Sequence, residues 1–318
     1  MNLPSNMVRI IQNLNEIKTV TQPIHLALGV FDGVHIGHQA VIRSVVAAAK
    51  ADGGVAGVLT FDPHPIQVLA PDVAPKRILA SLNHKRDLLD TLGVDVMLVL
   101  PFTQELAHEE PEMFLERLLQ ACNHLQTLAI GEDWKFGNQR RGNVSLLREF
   151  GLANDIHIHS HGAVMLGGER VSSTRIRQAI RDGEMQAAAA MLGRDYTVLG
   201  TVIEGRRLGR TLGFPTANLK VYNEQLPRDG VWAVMVTLEN GQIYGGAGNL
   251  GKRPTVEGSD AKRMLEIHLI GFTGDLYGTD MEVRFVEFVR AEQKFNSLDE
   301  LQHQIREDVA FCRNLCTS

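Results

Sequence analysis

Between residue 24 and about residue 190, short runs of continuously apolar residues alternate with segments whose apolar residues recur every three or four positions. Such a run reads as a strand buried on both faces, and the wider spacing reads as a helix with one buried stripe. "IHLALGV" (24–30) is the first strand, followed by Val41, Ile42, Val45, Val46 and Ala49 at helical spacing until Gly53 and Gly54 stop them. "VAGVLTF" (55–61), "VDVMLVL" (94–100) and "LQTLAIG" (125–131) read as further strands. Between them fall two helices, residues 81–93, opened by Ser81 and closed by Gly93, and "PEMFLERLLQAC" (111–122). This repetition predicts an α/β domain whose parallel sheet is covered by helices. Ligands of such sheets bind at the carboxyl ends of the strands.

From about residue 196 the pattern changes. "YTVLGTVIEG", "GVWAVMVTLE", "QIYGGAGNLG", "MLEIHLIGF" and "MEVRFVEFVR" are strand-like and have no helices between them. Short strands split by glycine and polar turns predict a small antiparallel β-barrel. A C-terminal helix follows, with Ser297 and Glu300 as a capping box and Leu298, Leu301, Ile305, Val309 and Cys312 as its stripe. "GEMQAAAAMLGRD" (183–195) reads as a helical connector, so the expected domains are 1–185 and 186–318.

Composition narrows the partners. Of 318 residues 44% are hydrophobic and 22% charged, which is ordinary for a globular protein and argues against a disordered chain. The formal net charge of -5 argues against nucleic acid as a partner, although a local basic patch remains open. Three cysteines, Cys122, Cys312 and Cys316, fit reduced thiols better than a disulfide framework. No run approaches the roughly 20 apolar residues that cross a membrane, and no signal peptide stands at the start. A cytoplasmic protein with no membrane partner is expected.

The chemistry-bearing stretches of the first half fall at strand ends. In "GVFDGVHIGH" (29–38), His35 and His38 are three apart at a helix start, so both rings share a face beside free N–H groups and a positive dipole end. Gly33 and Gly37 leave room for a ligand against the backbone. "TFDPHP" (60–65), "GEDWKFGNQRRGN" (131–143) and "VSSTRIR" (171–177) add acids, hydroxyls and arginines at the same edge. Together they read as a cradle for a nucleotide phosphate. "HIHSH" (157–161) puts three histidines on one strand face, but with no acid or cysteine beside them it reads as structural.

In the second half, "LGTVIEGRRLGRTLGFPTANL" (199–219) combines Gly205, Gly209 and Gly213 with Arg206, Arg207 and Arg210. Thr216 and Asn218 are two apart and share a face of an extended chain, offering hard oxygens suited to Mg²⁺ beside phosphates. Glu266 alternates with Leu265 and Ile267 and so points away from their face.

The first half resembles the FMN adenylyltransferase module of bacterial bifunctional riboflavin kinase/FAD synthetases, on "GVFDGVHIGH", "TFDPHP", "GEDWKFGNQRRGN" and "VSSTRIR". The stretch from residue 199 resembles the riboflavin kinase barrel, on "GRTLGFPTANL", "GVWAV", "GNLGKRPTV", "LEIHLIGFTGDLYG" and "FVRAEQKFNSLDEL". The resemblance covers about residues 15–315, and its two motif sets stand in the fused order. It implies a Rossmann-like nucleotidyltransferase domain followed by a riboflavin kinase barrel with a C-terminal helix. ATP would phosphorylate riboflavin to FMN, and a second ATP would adenylylate FMN to FAD, with Mg²⁺ as cofactor.

For the adenylyltransferase the resemblance implies that His35 and His38 hold the ATP phosphates, with Gly29, Phe31, Asp32, Gly33 and Gly37 around them. Asp133 would lie near the nucleotide, and Ser173, Thr174 and Arg177 at its β/γ end. Phe61, Asp62, Pro63 and His64 would receive FMN. For the kinase it implies Thr216 and Asn218 at Mg–ATP and Glu266 as base toward the ribityl 5′-hydroxyl. Gly205, Arg210, Gly213, Pro215 and Asn249 would line ATP and flavin. The family usually has Tyr where this chain has Trp232. A cytidylyltransferase and a flavin-sensing protein without catalysis are the rival readings; the "PTAN" barrel disfavours the first and the combined set of site residues the second. A monomer or weak homo-oligomer is expected.

Overall fold

The computed structural model describes residues 8–72, 74, 78–205, 209, 212–222, 224–252 and 263–316. The chain divides into two compact units, residues 1–173 and 174–318.

Six strands build the sheet of the first unit: β1 (Arg9–Ile11), β2 (Ile24–Leu28), β3 (Val55–Asp62), β4 (Val96–Pro101), β5 (Leu125–Gly131) and β6 (His157–His161). All neighbours are parallel, in the order β1-β4-β3-β2-β5-β6. From β2 the chain moves outward through β3 and β4, then returns to place β5 on the other side of β2. The strand order therefore switches between β2 and β5, and the crevice outside their carboxyl ends is where a sheet of this kind takes a ligand.

Both faces of the sheet are covered. On one, Leu26, Leu28, Leu59, Leu98 and Leu128 pack with Phe114, Leu115 and Leu118 of α6 (Pro111–Ala121). On the other, Ala27, Val58, Met97 and Ala129 pack with Val41, Ile42, Val45 and Val46 of α2 (Ile36–Asp52). Further helices of this unit are α1 (Leu14–Ile17), α3 (Pro65–Leu69), α4 (Leu82–Thr91), α5 (Gln104–His108) and α7 (Val144–Asn154). Helix α2 stops at Gly53, whose φ of 72° is left-handed, as expected of a glycine C-cap. Strand β2 ends two residues before the expected Val30, because the Val30 carbonyl is taken by side chains of β3 and α4. A hairpin, β7 (Met165–Leu166) and β8 (Glu169–Arg170), leads into α8 (Ser173–Asp182).

In the second unit, α9 (Met185–Leu192) is the expected connector helix. Strands β9 (Thr197–Ile203), β10 (Ala217–Val221), β11 (Gly230–Leu238), β12 (Ile243–Lys252), β13 (Arg263–Leu269) and β14 (Asp280–Arg290) close into a barrel in the order β10-β13-β12-β11-β14-β9. Every pairing is antiparallel. Val198, Val202, Leu219, Val234, Leu265, Ile267 and Val283 alternate inward and are buried. Trp232 is buried too, its indole N–H donating to the Arg228 carbonyl at 3.0 Å and its ring meeting Phe285 and Phe288 edge-on.

The C-terminal helix α10 (Leu298–Cys316) carries the expected cap with one shift. Ser297 Oγ accepts from the Glu300 N–H at 3.1 Å, but the Glu300 carboxylate takes the N–H of Asn296, one residue before the cap. Leu298 departs from the predicted stripe: it is 62% exposed, whereas Val309 and Cys312 are buried. At the first position of a helix the side chain stands over the entering chain, outside the turns that meet the barrel.

Candidate functional site

The loop after β2 is held in a conformation that residue preferences oppose. Phe31, Gly33 and Val34 have φ of 50°, 79° and 43°. For a glycine this is free, but for Phe31 and the β-branched Val34 it costs on the order of 1–3 kcal/mol each. Buried contacts over-determine the loop. Phe31 and Val34 are buried, the Asp32 carboxylate accepts from the Leu79 N–H at 2.8 Å, and Gln39 Nε2 donates to the Val34 carbonyl at 3.0 Å. Thr60 Oγ1 and Lys85 Nζ both donate to the Val30 carbonyl, at 2.9 Å each.

This loop delivers the two histidines. His35 is the N-cap of α2, just outside the helix where the spacing argument had put it, and its Nδ1 accepts from the His38 N–H at 3.3 Å. That bond requires an unprotonated Nδ1, so His35 carries its proton on Nε2. The two rings stack with centroids 3.5 Å apart and planes 18° from parallel. Phe31 stands edge-on to His38 at 5.3 Å. The His38 ring is half-buried, yet its Nδ1 is sealed from solvent with no hydrogen-bond partner. Burial, then the charges of His35, Lys85 and Arg170, hold His38 well below its ordinary 6.5, so at neutral pH it is a neutral N–H donor.

Around the pair, the loop after β5 brings Asp133 into an ion pair with Arg170 of β8. Trp134 and Phe136 stack at 4.7 Å, while Arg141 is drawn to Glu110 at 2.6 Å. Ser173 Oγ donates to the Asp32 carbonyl at 2.9 Å. Ser173, Thr174 and Arg177 lie inside α8 and not ahead of it; Thr174 is exposed and Arg177 buried. At the end of β3, Phe61 is buried edge-on to Phe102 and Asp62 is exposed; just after it Pro63 is exposed and His64 caps α3. Gly29 packs on the Phe31 ring and Gly37 on the His35 ring, with Gly33 on Leu79.

Two residues here escape a reading by motif. Arg170 sits just before "VSSTRIR" and falls outside each of the quoted motifs. Lys85 is 6% exposed and bonds the Val30 carbonyl and, at 3.2 Å, Thr60 Oγ1. Burial lowers its pKa, opposed by the carboxylates of Asp32 and Asp62. A lysine at the apolar position between Leu82 and Leu89 of an amphipathic helix is the signal that would have found it. On β6, His157 and His159 are exposed and His161 half-buried; among the described residues no group of three or more His, Cys, Asp or Glu assembles that could hold a metal ion. Burial pushes the Cys122 thiol up to about 12.

In the second unit the barrel register lines up three side chains. Asn218 on β10 is paired with Glu266 on β13, and Glu266 with Asn249 on β12. Directly opposed residues share a face. Since Leu265 and Ile267 point inward and are fully buried, the row Asn218–Glu266–Asn249 lies on the outer face. Asn218 is buried even so, because the Gly205 backbone lies so close that a Cβ there would collide with the Asn218 carboxamide. Glu266 is half-buried and Asn249 exposed, while Thr216 lies two residues before Asn218. Gly213 takes a left-handed φ of 82°, and Pro215 gives its carbonyl to His268 Nδ1 at 2.9 Å. Arg206, Arg207 and Arg210 lie outside the described residues.

Two family models match the chain one after the other: FAD synthetase over residues 17–175 and riboflavin kinase over residues 192–316. The chain belongs to the bifunctional riboflavin kinase/FMN adenylyltransferase family. A protein of that name from Haemophilus influenzae is 37% identical over 302 residues, covering 95% of this chain and 97% of that one. The corresponding protein of Escherichia coli K12 is 36% identical over 302 residues, 95% of either chain. A crystal structure from Streptococcus pneumoniae, titled a macrolide-efflux protein, matches with a TM-score of 0.83 at 29% identity, covering 96% of this chain and 99% of that one. Among the described residues of this chain no helix is long and apolar enough to cross a membrane. This chain is thus both a riboflavin kinase and an FAD synthetase, with ATP, riboflavin and FMN as substrates. Trp232, where the resemblance led us to expect tyrosine, is accommodated by packing and one backbone hydrogen bond.

Proposed function

We propose that adenylyl transfer is carried out at the β2–β5 switch point and riboflavin phosphorylation on the outer face of the barrel, within domains 1–185 and 186–318. For the first reaction the supporting observation is the strained, over-bonded loop that stacks His35 on His38 at the start of α2. The Nε2–H of His35 and an N–H of neutral His38, with the α2 N-terminus, point donors at the phosphates of ATP. The acceptor is the FMN phosphate, whose second pKa of about 6 leaves it mostly a dianion at neutral pH, so no general base is needed. The protein's part is in-line positioning and relief of charge on the departing pyrophosphate. Gly29, Phe31, Asp32, Gly33 and Gly37 shape that pocket, Asp133, Ser173, Thr174 and Arg177 complete the nucleotide site, and Phe61, Asp62, Pro63 and His64 receive FMN.

For the second reaction the supporting observation is the row Asn218–Glu266–Asn249 with Thr216 beside it. Thr216 and the carboxamide of Asn218, cradled by Gly205, are neutral hard oxygens that fit Mg²⁺ better than a softer metal. When bound, Mg²⁺ offsets the negative charge of the ATP phosphates. Glu266 accepts the proton of the ribityl 5′-hydroxyl as that oxygen attacks the terminal phosphorus, where a loose transition state needs only a modest base. Gly205, Arg210, Gly213, Pro215 and Asn249 line the ATP and flavin. We place the enzyme in the cytoplasm as a monomer or weak homo-oligomer with no nucleic-acid or membrane partner. The test is to supply riboflavin, ATP and Mg²⁺ and resolve FMN and FAD by chromatography. His38→Ala should accumulate FMN without FAD, and Thr216→Ala should slow FMN formation while FAD still forms from supplied FMN; any other pairing reverses the assignment of sites.

A further inference from the structure

The stretch that carries Thr216 and Asn218 is not held by the barrel ladder alone. Pairing of β10 with β13 begins at Ala217 opposite Ile267, so Thr216 lies just beyond it. What fixes the chain there is a side chain, His268, on the same outer face of β13 as Glu266 and two residues further on. Its Nδ1 lies 2.9 Å from the Pro215 carbonyl, and its ring meets Phe214 edge-on at 5.4 Å. A carbonyl only accepts, so Nδ1 must carry the proton and donate. Two more contacts fasten the same segment: the Phe214 N–H donates to the Gly209 carbonyl at 2.8 Å, and Gln302 of α10 donates to the Leu212 carbonyl at 3.0 Å.

The peptide plane makes the His268 contact consequential. The Pro215 carbonyl and the Thr216 N–H belong to one rigid plane, so fixing the direction of the carbonyl fixes where the Thr216 Cα and its hydroxyl begin. Proline has no N–H of its own with which to anchor the turn. With the carbonyl released, the Pro215 ψ is free to rotate, and Thr216 swings relative to Asn218, which stays in the ladder opposite Glu266.

We propose that His268 is a positioning residue of the kinase site, its Nδ1–H clasping the Pro215 carbonyl so that Thr216 and Asn218 are held together to receive magnesium-bound nucleotide. It rests on the reading that Thr216 and Asn218 hold that nucleotide. The clasp uses one particular ring nitrogen, which gives the test its resolution. In Asn the amide nitrogen occupies the place of Nδ1, whereas in Gln it reaches toward the place of Nε2. His268→Asn should therefore keep the clasp, and His268→Gln and His268→Ala should lose it.

Two readouts on the full chain decide the matter. In riboflavin phosphorylation, His268→Gln and His268→Ala should raise KM for Mg–ATP about tenfold and change kcat less than threefold, with His268→Asn within twofold of wild type in both. Independently of turnover, hydrogen exchange of the amides of residues 216–220 should speed up in the Gln and Ala variants, and Mg–ADP at a concentration near the wild-type KM for Mg–ATP should add protection in wild type and Asn but little in Gln and Ala. Adenylyl transfer from supplied FMN serves as the control for an intact protein. If Asn behaves like Ala, or if neither KM nor exchange moves, His268 is only a packing residue and the proposal is overturned. Thr216→Ala separates the two levels. If it leaves KM for Mg–ATP unchanged, the reading of Thr216 fails; if it raises KM while His268→Gln does not, only the clasp fails.

Discussion

His38 and Glu266 are proposed to do opposite things with a proton, and that difference is testable one residue at a time. His38 is proposed to donate a hydrogen bond as a neutral ring, so its loss removes transition-state stabilisation without altering any proton count. His38→Ala should lower FAD formation on the order of 10²-fold or more and leave FMN formation nearly unchanged, as read from the two half-reactions. Its sealed Nδ1 also couples folding to pH. The folded ring is held well below 6.5, so below pH 6.5 the unfolded chain binds a proton that the folded chain does not. Stability from this group is present above that pH and declines as pH falls. Denaturant midpoints at pH 7.5 and 5.5 should drop less steeply for His38→Ala than for wild type. Glu266→Gln keeps size and hydrogen bonding but cannot accept the hydroxyl proton; kinase kcat should fall roughly 10²–10⁴-fold while FAD still forms from supplied FMN. A shift of less than threefold would leave Glu266 a solvated carboxylate on a strand.

At the scale of elements, the ties between them are less visible in sequence than the elements themselves. Strand β5 runs over the seven residues its apolar run predicts, and the Ser81 and Gly53 caps fall where residue chemistry puts them. Period and cap are local properties, so a sequence displays them. The loop after β2 shows the other case. Gly33 was read only as room for a ligand against the backbone, and the positive φ at Phe31 and Val34 was not legible, because only burial and bonds from distant α4 and β3 make it tolerable. Lys85 belongs to that tie. Lys85→Met should leave the Val30 carbonyl and Thr60 hydroxyl to each other and slow adenylyl transfer more than riboflavin phosphorylation in paired assays. On the barrel, Arg290 of β14 grips Asp308 of α10 through Nε at 2.9 Å and Nη2 at 2.7 Å, and Asp308 is 5% exposed. Asp308→Ala strands a largely buried guanidinium and should cost about 3 kcal/mol. Because Gln302 of the same helix holds Leu212, heating this variant should abolish kinase activity at a lower temperature than wild type while FAD formation persists.

At the scale of the whole molecule, the order of motifs in the chain foretold two activities. The compositional boundary falls at 185/186, where strands without helices are about to begin; the compact units meet at 173/174. The residues between decide how a kinase fragment should be cut. Gly183 lies against the barrel, with the Arg228 guanidinium and the Trp232 ring so near that a Cβ there would sit 3.1 and 3.2 Å from them. Trp232 in turn meets Phe285 and Phe288 edge-on, so Gly183, which precedes the connector helix, covers an edge of the barrel core. A fragment of residues 186–318 keeps the closed barrel, α10, Thr216, Asn218 and Glu266, and should phosphorylate riboflavin alone. It loses the cover over Trp232, however, and a fragment of residues 174–318 should retain kinase activity to a higher temperature, by several degrees. Residual FMN formation after a heat step, compared between the two fragments, measures that difference. Equal thermal loss would mean that Gly183 covers nothing of consequence, and a well-folded but inactive 174–318 fragment would mean that the kinase site needs residues from the first unit.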